Sequence, residues 1–415
     1  MKRIISPSAL SGRVTPPCSK SYAQRALAVA LLAEGESLIG NVEMCDDRRS
    51  ALRCIEALGA KVEKIDDSTL KVRGGFNPNT DSLNIGESGL STRLFTPIAS
   101  LCDRPITING EGTILYRPIS MMIEPLRQLG VSVRDGGGFL PIQVCGPMRG
   151  GKVEIDGSIS SQFLTGLLLS LPMAQSDTTI YVNNLNSLPY VDMTIETARR
   201  FGVEIAHKDY REFFIEGGQK YRSANFMIEG DWSGAAPMLV AGAVAGEVTV
   251  ENMSRLSLQA DTAIVKALIS AGAEVESTDN SVTVRRRKLR AFEFDATHCP
   301  DLFPALVALA ANCEGVSTIY GTERLLHKES NRAATLAEEY AKAGIEVDID
   351  EENIMRIRGG QIHGCTTDSH GDHRIAMSMA IAALTADEPI TIEGAECVAK
   401  SYPSFFDDLE QLIVK

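Results

Sequence analysis

Apolar positions along this chain of 415 residues recur in two kinds of predicted helix. The first kind is apolar on nearly all sides, and its six segments begin near residues 21, 91, 161, 231, 301 and 371. Helices that are apolar on every side are typical of buried positions. Because the six starts are evenly spaced, the pattern predicts six similar units, each with one buried helix.

The second kind of helix is amphipathic and ends in a glycine that a β-like segment follows, as in "ALGAKVE" (57–63). The glycines concerned are Gly59, Gly130, Gly202, Gly272 and Gly344. Glycine is favoured directly after a helix because it adopts a positive φ without steric cost. The sixth unit stops at "FFDDLEQLIV" (405–414), before such a tail, so we expect "KRIISP" (2–7) to supply its missing strand and bring the chain ends together.

Six units divide naturally into two domains of three units each. We expect a first domain at 14–229 and a second domain formed by 1–13 with 230–415. The connecting segments would lie near 11–14 and 228–234. Two similar domains joined by two strands are expected to close on a ligand by a hinge motion.

Composition narrows the function classes. The net charge of −13 argues against general binding to nucleic acid or anionic membranes, although a local site for a small anion remains compatible with it. The N-terminus lacks the apolar core of a signal peptide, and no apolar run is long enough to span a membrane. Nine cysteines without a CxxC pair are typical of reduced thiols. We therefore expect a cytoplasmic protein.

Polar residues gather at the N-termini of the predicted buried helices. They occur in "SKS" (19–21) with Arg25, "ESGLSTR" (87–93), "SSQ" (160–162), Pro300–Asp301 and "GDHR" (371–374). Serine and aspartate there are also ordinary caps. Lys20, Arg93 and Arg374, however, are unfavourable to their own helices, because helix N-termini attract negative charge. Together these cations predict a binding site for anions.

Other basic residues have two readings. Arg117, Lys328, Arg332 and Lys400 are each compatible with a solvated surface position, but as a cluster they would recognise a substrate with several negative groups. A nucleoside triphosphate loop is excluded, because both glycines of its motif are missing. A metal site at His363, His370 and His373 with Asp372 lacks a recognised ligand spacing, so we predict no metal. Spacing indicates no partner that would make Cys18 a nucleophile.

Nine motifs in order carry a resemblance to a known family. They are "PPCSKSYAQRA", "SGLSTR", "YRPI", "DGSISSQFLTGLL", "LPYVDMT", "CPDLFPAL", "KESNR", "GDHRIAM" and "AKSYPSFF". Together they resemble the 5-enolpyruvylshikimate-3-phosphate synthases, the enolpyruvyl transferases of the shikimate pathway. The resemblance covers essentially the whole chain. It implies an α/β fold of two similar domains, each of three βαβαββ units with buried parallel helices (an inverse α/β prism).

The resemblance also implies an activity. The family transfers the enolpyruvyl group of phosphoenolpyruvate to the 5-hydroxyl of shikimate 3-phosphate and releases phosphate, through a tetrahedral intermediate. It implies no metal or organic cofactor, and we expect a monomer without nucleic-acid or membrane partners. The residues expected to bind shikimate 3-phosphate are Lys20, Ser21, Arg25, Ser160, Ser161, Gln162, Ser187, Asp301 and Lys328, with Tyr190 nearby. The residues expected to bind phosphoenolpyruvate are Lys20, Gly89, Arg93, Arg117, Gln162, Arg332, Arg374 and Lys400.

The reaction requires two proton transfers, which the resemblance assigns to carboxylates. Asp301 is expected to accept the proton of the attacking hydroxyl. Glu329 is expected to give a proton to the methylene carbon and take it back, with Lys400 as the alternative group. Lys20 would assist the departing phosphate.

Some positions depart from the family pattern. Cys18 stands where glycine is usual, which predicts a slightly displaced loop or a thiol open to alkylation. Glu87 replaces a common asparagine, and Leu90 and Leu94 replace a usual threonine and proline, so we expect weakened inhibition by glyphosate.

Two other functions stay open at this point. One is the related transferase that acts on a UDP-aminosugar, although the cysteine of its mobile loop is absent from "GEGTILYRPI" (110–119). The other is a catalytically silent scaffold that binds anions, against which the presence of Asp301 and Glu329 argues.

Overall fold

A computed structural model describes residues 1–350 and 352–414, in which one strand–helix pattern recurs six times. Each of the first five repeats contains a strand, a buried helix, a second strand, a further helix and a two-stranded hairpin. The chain begins with β1 (Lys2–Ile5). The evenly spaced repeats predicted from the sequence are therefore confirmed.

The first three repeats have the following elements. The first contains β2 (Leu10–Val14), α1 (Lys20–Leu32), β3 (Glu36–Gly40), α2 (Asp46–Ala57), β4 (Lys61–Lys64) and β5 (Leu70–Arg73). The second contains β6 (Ser82–Asn84), α3 (Gly89–Ala99), β7 (Ile106–Asn109), α4 (Ile123–Gln128), β8 (Ser132–Asp135) and β9 (Ile142–Cys145). The third contains β10 (Gly151–Asp156), α5 (Gln162–Ser170), β11 (Thr178–Asn183), α6 (Leu188–Arg200), β12 (Ala206–Lys208) and β13 (Glu212–Ile215).

The last three repeats follow the same order. The fourth contains β14 (Asn225–Met227), α7 (Trp232–Ala245), β15 (Gly246–Glu251), α8 (Ile264–Ala271), β16 (Glu274–Ser277) and β17 (Ser281–Arg285). The fifth contains β18 (Glu293–Asp295), α9 (Phe303–Ala311), β19 (Val316–Tyr320), α10 (Arg332–Lys342), β20 (Glu346–Asp350) and β21 (Ile354–Arg358). The sixth contains β22 (Thr366–Asp368), α11 (His373–Ala383), β23 (Ile390–Glu393) and α12 (Phe405–Gln411). Short 3₁₀ helices span Gly112–Tyr116, Ser120–Met122, Leu171–Met173, Ala260–Ala263, Pro300–Leu302, Thr322–Leu325 and Ala395–Lys400.

The helices α1, α3, α5, α7, α9 and α11 are the buried ones, as their composition predicts. Each begins within two residues of its predicted start, and in each every residue after the first two is buried. Burial of such all-apolar helices removes a large apolar area from water, which is the main favourable contribution to folding. Along the described chain, no helix is both long enough and apolar enough to cross a bilayer.

Five small sheets share one strand order, in which a parallel pair is followed by an antiparallel hairpin. Three of them use strands of a single repeat, in the orders β6-β7-β9-β8, β10-β11-β13-β12 and β18-β19-β21-β20. The first and fourth repeats exchange their first strands. β14 pairs in parallel with β3, and β2 pairs in parallel with β15.

This exchange accompanies a division of the chain into two compact units. One unit consists of Met1–Ser19 and Glu229–Lys415, and the other consists of Lys20–Ile228. The division at Ser19 falls later than the segment 11–14, because Cys18 forms a β-bridge with Gly230 and Ser19 N donates to Glu229 O at 2.8 Å.

The N-terminal strand completes the sixth repeat, as expected. β1 pairs antiparallel with β23, with Lys2 opposite Glu393 and Ile5 opposite Ile390. The other chain end lies close by, because Val414 N donates to Ala9 O at 2.9 Å. Within the described residues this sheet has three strands, and β1 takes the place of the inner hairpin strand.

The five tail glycines all adopt the predicted left-handed conformation, with φ between +80° and +116°. At Gly59 the available space imposes a second constraint. A Cβ there would lie 2.7 Å from the backbone oxygens of Gly75 and Asn77, a distance that real Cβ atoms do not show. Both the conformation and the packing therefore require glycine.

Candidate active site

Lys20 begins α1 and is balanced by a carboxylate from the neighbouring helix. Its Nζ lies 3.0 Å from Oδ2 of Asp47, and both side chains are mostly buried. Asp47 belongs to the first turn of α2, where a negative charge is favourable. The cation that is unfavourable to α1 is thus held by a group that stabilises α2.

Arg25 is fully buried, one turn after Lys20, and is held by neutral oxygens. Its Nε donates to Thr194 Oγ1 at 2.9 Å, and its two terminal nitrogens donate to Thr165 Oγ1, Tyr190 O and Ser21 O. Burial lowers the pKa of Arg25 to about 10, because the charged form loses hydration. A buried cation held by dipoles alone is well suited to attract an anion.

The N-terminus of α5 carries the predicted serines and Gln162. Ser160 Oγ accepts a hydrogen bond from Gln162 N at 3.1 Å, and Ser161 is buried beside it. Oε1 of Gln162 lies 3.5 Å from Nη1 of Arg93. Ser187 is also buried, and it precedes α6 with a φ of +59°.

Two buried arginines meet at the N-terminus of α3. Arg93 donates from Nη1 to Gly89 O and from Nη2 to Pro118 O, both at 3.0 Å. Arg117 lies over Gly89, because a Cβ at Gly89 would approach its Nη1 to 2.7 Å. The missing side chain of Gly89 therefore makes room for a guanidinium, and the unit Lys20–Ile228 concentrates three predicted phosphoenolpyruvate-binding groups here.

In the compact unit formed by Met1–Ser19 and Glu229–Lys415, Asp301 is surrounded by cations. Its Oδ1 accepts from Lys328 Nζ at 3.1 Å and from Arg332 Nη1 at 3.0 Å. Its Oδ2 lies 3.5 Å from Nη2 of Arg374. The Asp301 side chain is 27% exposed, so solvent or a ligand can reach it.

Arg332 is fully buried and is shared by three carboxylates. Nε donates to Asp372 Oδ2 at 2.9 Å, and Nη2 donates to Glu329 Oε2 at 2.7 Å. Burial by itself lowers the pKa of the Arg332 guanidinium, but the surrounding carboxylates outweigh burial and the pKa is raised overall. Asp372 also caps α11, since its Oδ1 accepts from Arg374 N at 3.0 Å.

Three further predicted cations lie in the same unit. Arg374 is held by Ser233, with Nη1 donating to its backbone oxygen at 3.0 Å and Nη2 to its hydroxyl at 2.7 Å. Nζ of Lys400 donates to Gly371 O at 2.9 Å. Burial lowers the pKa of Lys328, and nearby Asp301 opposes that effect only in part.

The histidines considered as metal ligands do not form one cluster. His363 pairs with Asp387 at 2.6 Å, whereas His370 pairs with Glu339 at 2.7 Å. Among residues 1–350 and 352–414, the one group with metal-ligand spacing is Glu338, Glu339 and His370. The Lys342 ammonium binds the carboxylates of Glu338 and Glu339, at 3.1 and 2.8 Å, and so occupies the place that a metal cation would take.

Comparison with known proteins identifies the family. The sequence matches the family model of EPSP synthase (3-phosphoshikimate 1-carboxyvinyltransferase) over residues 4–409. The chain belongs to the EPSP synthase family.

Relatives over the full length agree with this membership. Proteins named 3-phosphoshikimate 1-carboxyvinyltransferase from Clostridium acetobutylicum and Methanocorpusculum labreanum are 37% and 35% identical to the chain. The alignments cover 98% and 99% of this chain and 96% and 98% of those relatives. A solved EPSP synthase from Acinetobacter baumannii matches with a TM-score of 0.83 and 25% identity, covering all of this chain and 98% of that one. The expected two-domain α/β fold of the EPSP synthase family is thereby confirmed.

Four departures from the EPSP synthase pattern now have a structural setting. Cys18 is fully buried and forms a β-bridge with Gly230, so the folded chain gives no support to an alkylation-sensitive thiol. Leu90 and Leu94 are buried in α3. Glu87 is half-buried and accepts hydrogen bonds from Thr113.

Sequence reasoning missed the groups that hold the predicted cations. Asp47 was not singled out, and Asp372 was considered as a helix cap and as a metal ligand but not as the partner of Arg332. Ser233 and the two threonines beside Arg25 also went unnoticed. Only Asp372 gave a sequence signal, because an aspartate directly before a predicted helix is a candidate cap.

Proposed function

We propose that this chain catalyses the transfer of the 1-carboxyvinyl group of phosphoenolpyruvate to the 5-hydroxyl of shikimate 3-phosphate, with release of phosphate. The observation that carries the proposal is the family match over residues 4–409, together with buried cations at the motif positions. Both substrates are multiply charged anions. Buried and partly buried cations bind such groups more strongly than exposed ones, because water screens them less.

Shikimate 3-phosphate is proposed to bind the residues around Arg25. Its phosphate would accept hydrogen bonds from the serine hydroxyls and Lys20, and the buried Arg25 would contribute its positive charge. The proposed set is Lys20, Ser21, Arg25, Ser160, Ser161, Gln162, Ser187, Asp301 and Lys328. The support is the proximity of Ser21 to Arg25 and of Ser160 to Gln162.

Phosphoenolpyruvate is proposed to bind a second set of residues, which shares Lys20 and Gln162 with the first. Within the unit Lys20–Ile228, Lys20, Gly89, Arg93, Arg117 and Gln162 would contribute. Within the other unit, Arg332, Arg374 and Lys400 would contribute. Guanidinium groups suit this role because they donate two parallel hydrogen bonds to a carboxylate or phosphate.

Asp301 is proposed to accept the proton of the attacking 5-hydroxyl. In the free chain its oxygens are engaged by Lys328, Arg332 and, more distantly, Arg374. Anionic substrate competes for these cations, and each contact that moves to substrate leaves a carboxylate oxygen open to accept the proton. Positioned groups of this kind contribute roughly 10²–10⁴-fold to the rate.

Glu329 is proposed to protonate the methylene carbon and then to remove a proton from the resulting methyl group. Its contact with Arg332 fixes one carboxylate oxygen at 2.7 Å from that guanidinium. Lys400 is the alternative group for this transfer, and Lys20 would assist the departing phosphate. The proposed cations stabilise negative charge developing in the intermediate, so the mechanism calls for no metal or organic cofactor.

The decisive test is phosphate release by the purified chain. With shikimate 3-phosphate and phosphoenolpyruvate together we expect release of phosphate in proportion to enolpyruvyl product, and no loss of rate after EDTA treatment. UDP-N-acetylglucosamine in place of shikimate 3-phosphate separates the related transferase. Binding of both anions without phosphate release would instead indicate a silent scaffold. Size-exclusion chromatography with light scattering should give the mass of a single chain.

A further inference from the structure

We propose that Glu87 is a positioning residue that fastens the Arg117 loop, defined here as residues 110–117, and thereby sets the affinity for phosphoenolpyruvate. This inference rests on the proposed function only in its second part. Glu87 precedes α3, and the loop lies between β7 and α4. Neither the family resemblance nor the proposed chemistry gives this carboxylate a role.

Glu87 supplies a cap that the loop lacks. The loop contains the 3₁₀ helix Gly112–Tyr116, and the side chain of Glu111, which precedes that helix, makes no capping hydrogen bond. Instead, Oε2 of Glu87 accepts from Thr113 N and from Thr113 Oγ1, both at 3.0 Å. A carboxylate at a helix N-terminus satisfies amides that would otherwise have no helical partner, and it is favoured by the helix dipole.

The backbone of the loop is shaped to receive this carboxylate. Gly112 has a φ of +56°, and a Cβ there would lie 2.4–2.7 Å from the carboxylate atoms of Glu87. The positive φ favours glycine at this position, and a Cβ there would displace the Glu87 carboxylate from its present place. The close approach shows that the carboxylate is packed against the chain.

The middle of the loop contains one buried residue and one strongly exposed residue. Ile114 is the buried residue of the 3₁₀ helix, and Tyr116 is 83% exposed. The loop is attached at its start, where Glu111 N donates to Gly86 O at 2.9 Å. Just beyond its end, Arg93 Nη2 donates to Pro118 O at 3.0 Å. Glu87 provides a polar attachment between these two points, through Thr113.

The consequence for ligand binding follows from the position of Arg117. Its N donates to Ile114 O at 3.1 Å, so the 3₁₀ helix leads directly into the arginine. Its guanidinium lies over Gly89, two residues after Glu87. With the attachment removed, the loop samples more conformations, and binding an anion through Arg117 must first restore the ordered one.

The first experiment needs no activity. Hydrogen–deuterium exchange of peptides covering 110–117, followed by mass spectrometry, is compared in wild type and Glu87→Ala. We expect exchange in these peptides to accelerate about tenfold, corresponding to about 1.4 kcal/mol for a hydrogen bond to a charged group. Glu87→Gln keeps an acceptor oxygen and should restore most of the protection. Glu124→Ala removes an exposed carboxylate at the start of α4 and should change nothing in the loop.

The second experiment uses the reaction. We expect Glu87→Ala to raise the KM for phosphoenolpyruvate about tenfold, with less than a threefold change in kcat and in the KM for shikimate 3-phosphate. Thr113→Val, which keeps the amide but loses the hydroxyl, should raise the first KM about threefold.

The two experiments separate the possible failures. Unchanged exchange in Glu87→Ala overturns the attachment itself. Faster exchange with an unchanged KM for phosphoenolpyruvate overturns the positioning of Arg117. An inactive wild type would refute the proposed function, and the exchange result would still decide whether Glu87 fastens the loop.

Discussion

Replacing Asp372 should separate the two contributions that this buried carboxylate makes to the free energy of unfolding. It binds Arg332 and caps α11, and both partners in the ion pair are fully buried. Removing one partner of a buried ion pair costs about 3–5 kcal/mol, and losing a cap costs about 1 kcal/mol. Because Arg332 keeps its contacts with Asp301 and Glu329, we take the lower end of the range for the ion pair, about 3 kcal/mol. Asp372→Ala should then lose about 4 kcal/mol, and Asp372→Asn, which can still cap, about 3 kcal/mol.

The assay is urea unfolding followed by tryptophan fluorescence. The chain has one tryptophan, Trp232, which is buried in the same compact unit as Asp372, so the signal reports that unit. Together with Asp372→Asn, the variants Arg332→Met and Asp372→Asn/Arg332→Met complete a double-mutant cycle. We expect the double variant to lose at least about 2 kcal/mol less free energy of unfolding than the two single variants added together. The reason is that the double variant leaves no buried charge without its partner. Single losses that simply add would refute the reasoning.

Three further predictions concern the carboxylates Asp301 and Glu329, the ammonium of Lys328, and the cysteine thiols. Asp301→Asn and Glu329→Gln should each lower kcat by roughly 10²–10⁴-fold while the fluorescence transition is retained, and near-normal rates would remove them from the mechanism. Because burial lowers the pKa of Lys328, its charge is lost at a lower pH than that of an exposed lysine. The KM for shikimate 3-phosphate should therefore rise on the alkaline side below pH 10.5, and Lys328→Arg should abolish that rise; identical pH profiles would contradict the assignment. Mass spectrometry after treatment with a thiol reagent should find the partly exposed Cys145, Cys365 and Cys397 modified before unfolding and Cys18 only after it, and early labelling of Cys18 would be inconsistent with its burial.

The repeated architecture could be predicted because it depends on local signals. All-apolar helices and the glycines after amphipathic helices recur at a fixed spacing, and each has its own physical cause. The expected domain limits already group most of β2 with the second domain and β14 with the first, but the strands with which they pair could not be predicted. Both strands are short, and parallel pairing with either β3 or β15 would bury the same kind of residues, so nothing local selects the partner.

The candidate site was predictable to the extent that its residues conflict with local rules. Lys20 and Arg93 stand out because cations disfavour helix N-termini. The groups that hold them do not stand out. Asp47 looks like an ordinary first-turn carboxylate, and Thr194 is a neutral residue in the middle of α6, so only the tertiary structure shows what each one binds.

The pairing of β2 with β15 has a consequence for biosynthesis. About 230 residues separate the two strands, whereas β3, β4 and β5 find one another within a single repeat. At a synthesis rate of roughly 5–20 residues per second, β2 leaves the ribosome roughly 10–50 s before its partner exists. The whole unit Lys20–Ile228 is translated in that interval. Until β15 has been synthesised, β2 is unpaired. The polar residues at its centre, within Ser11–Arg13, lower its tendency to pair with other nascent chains.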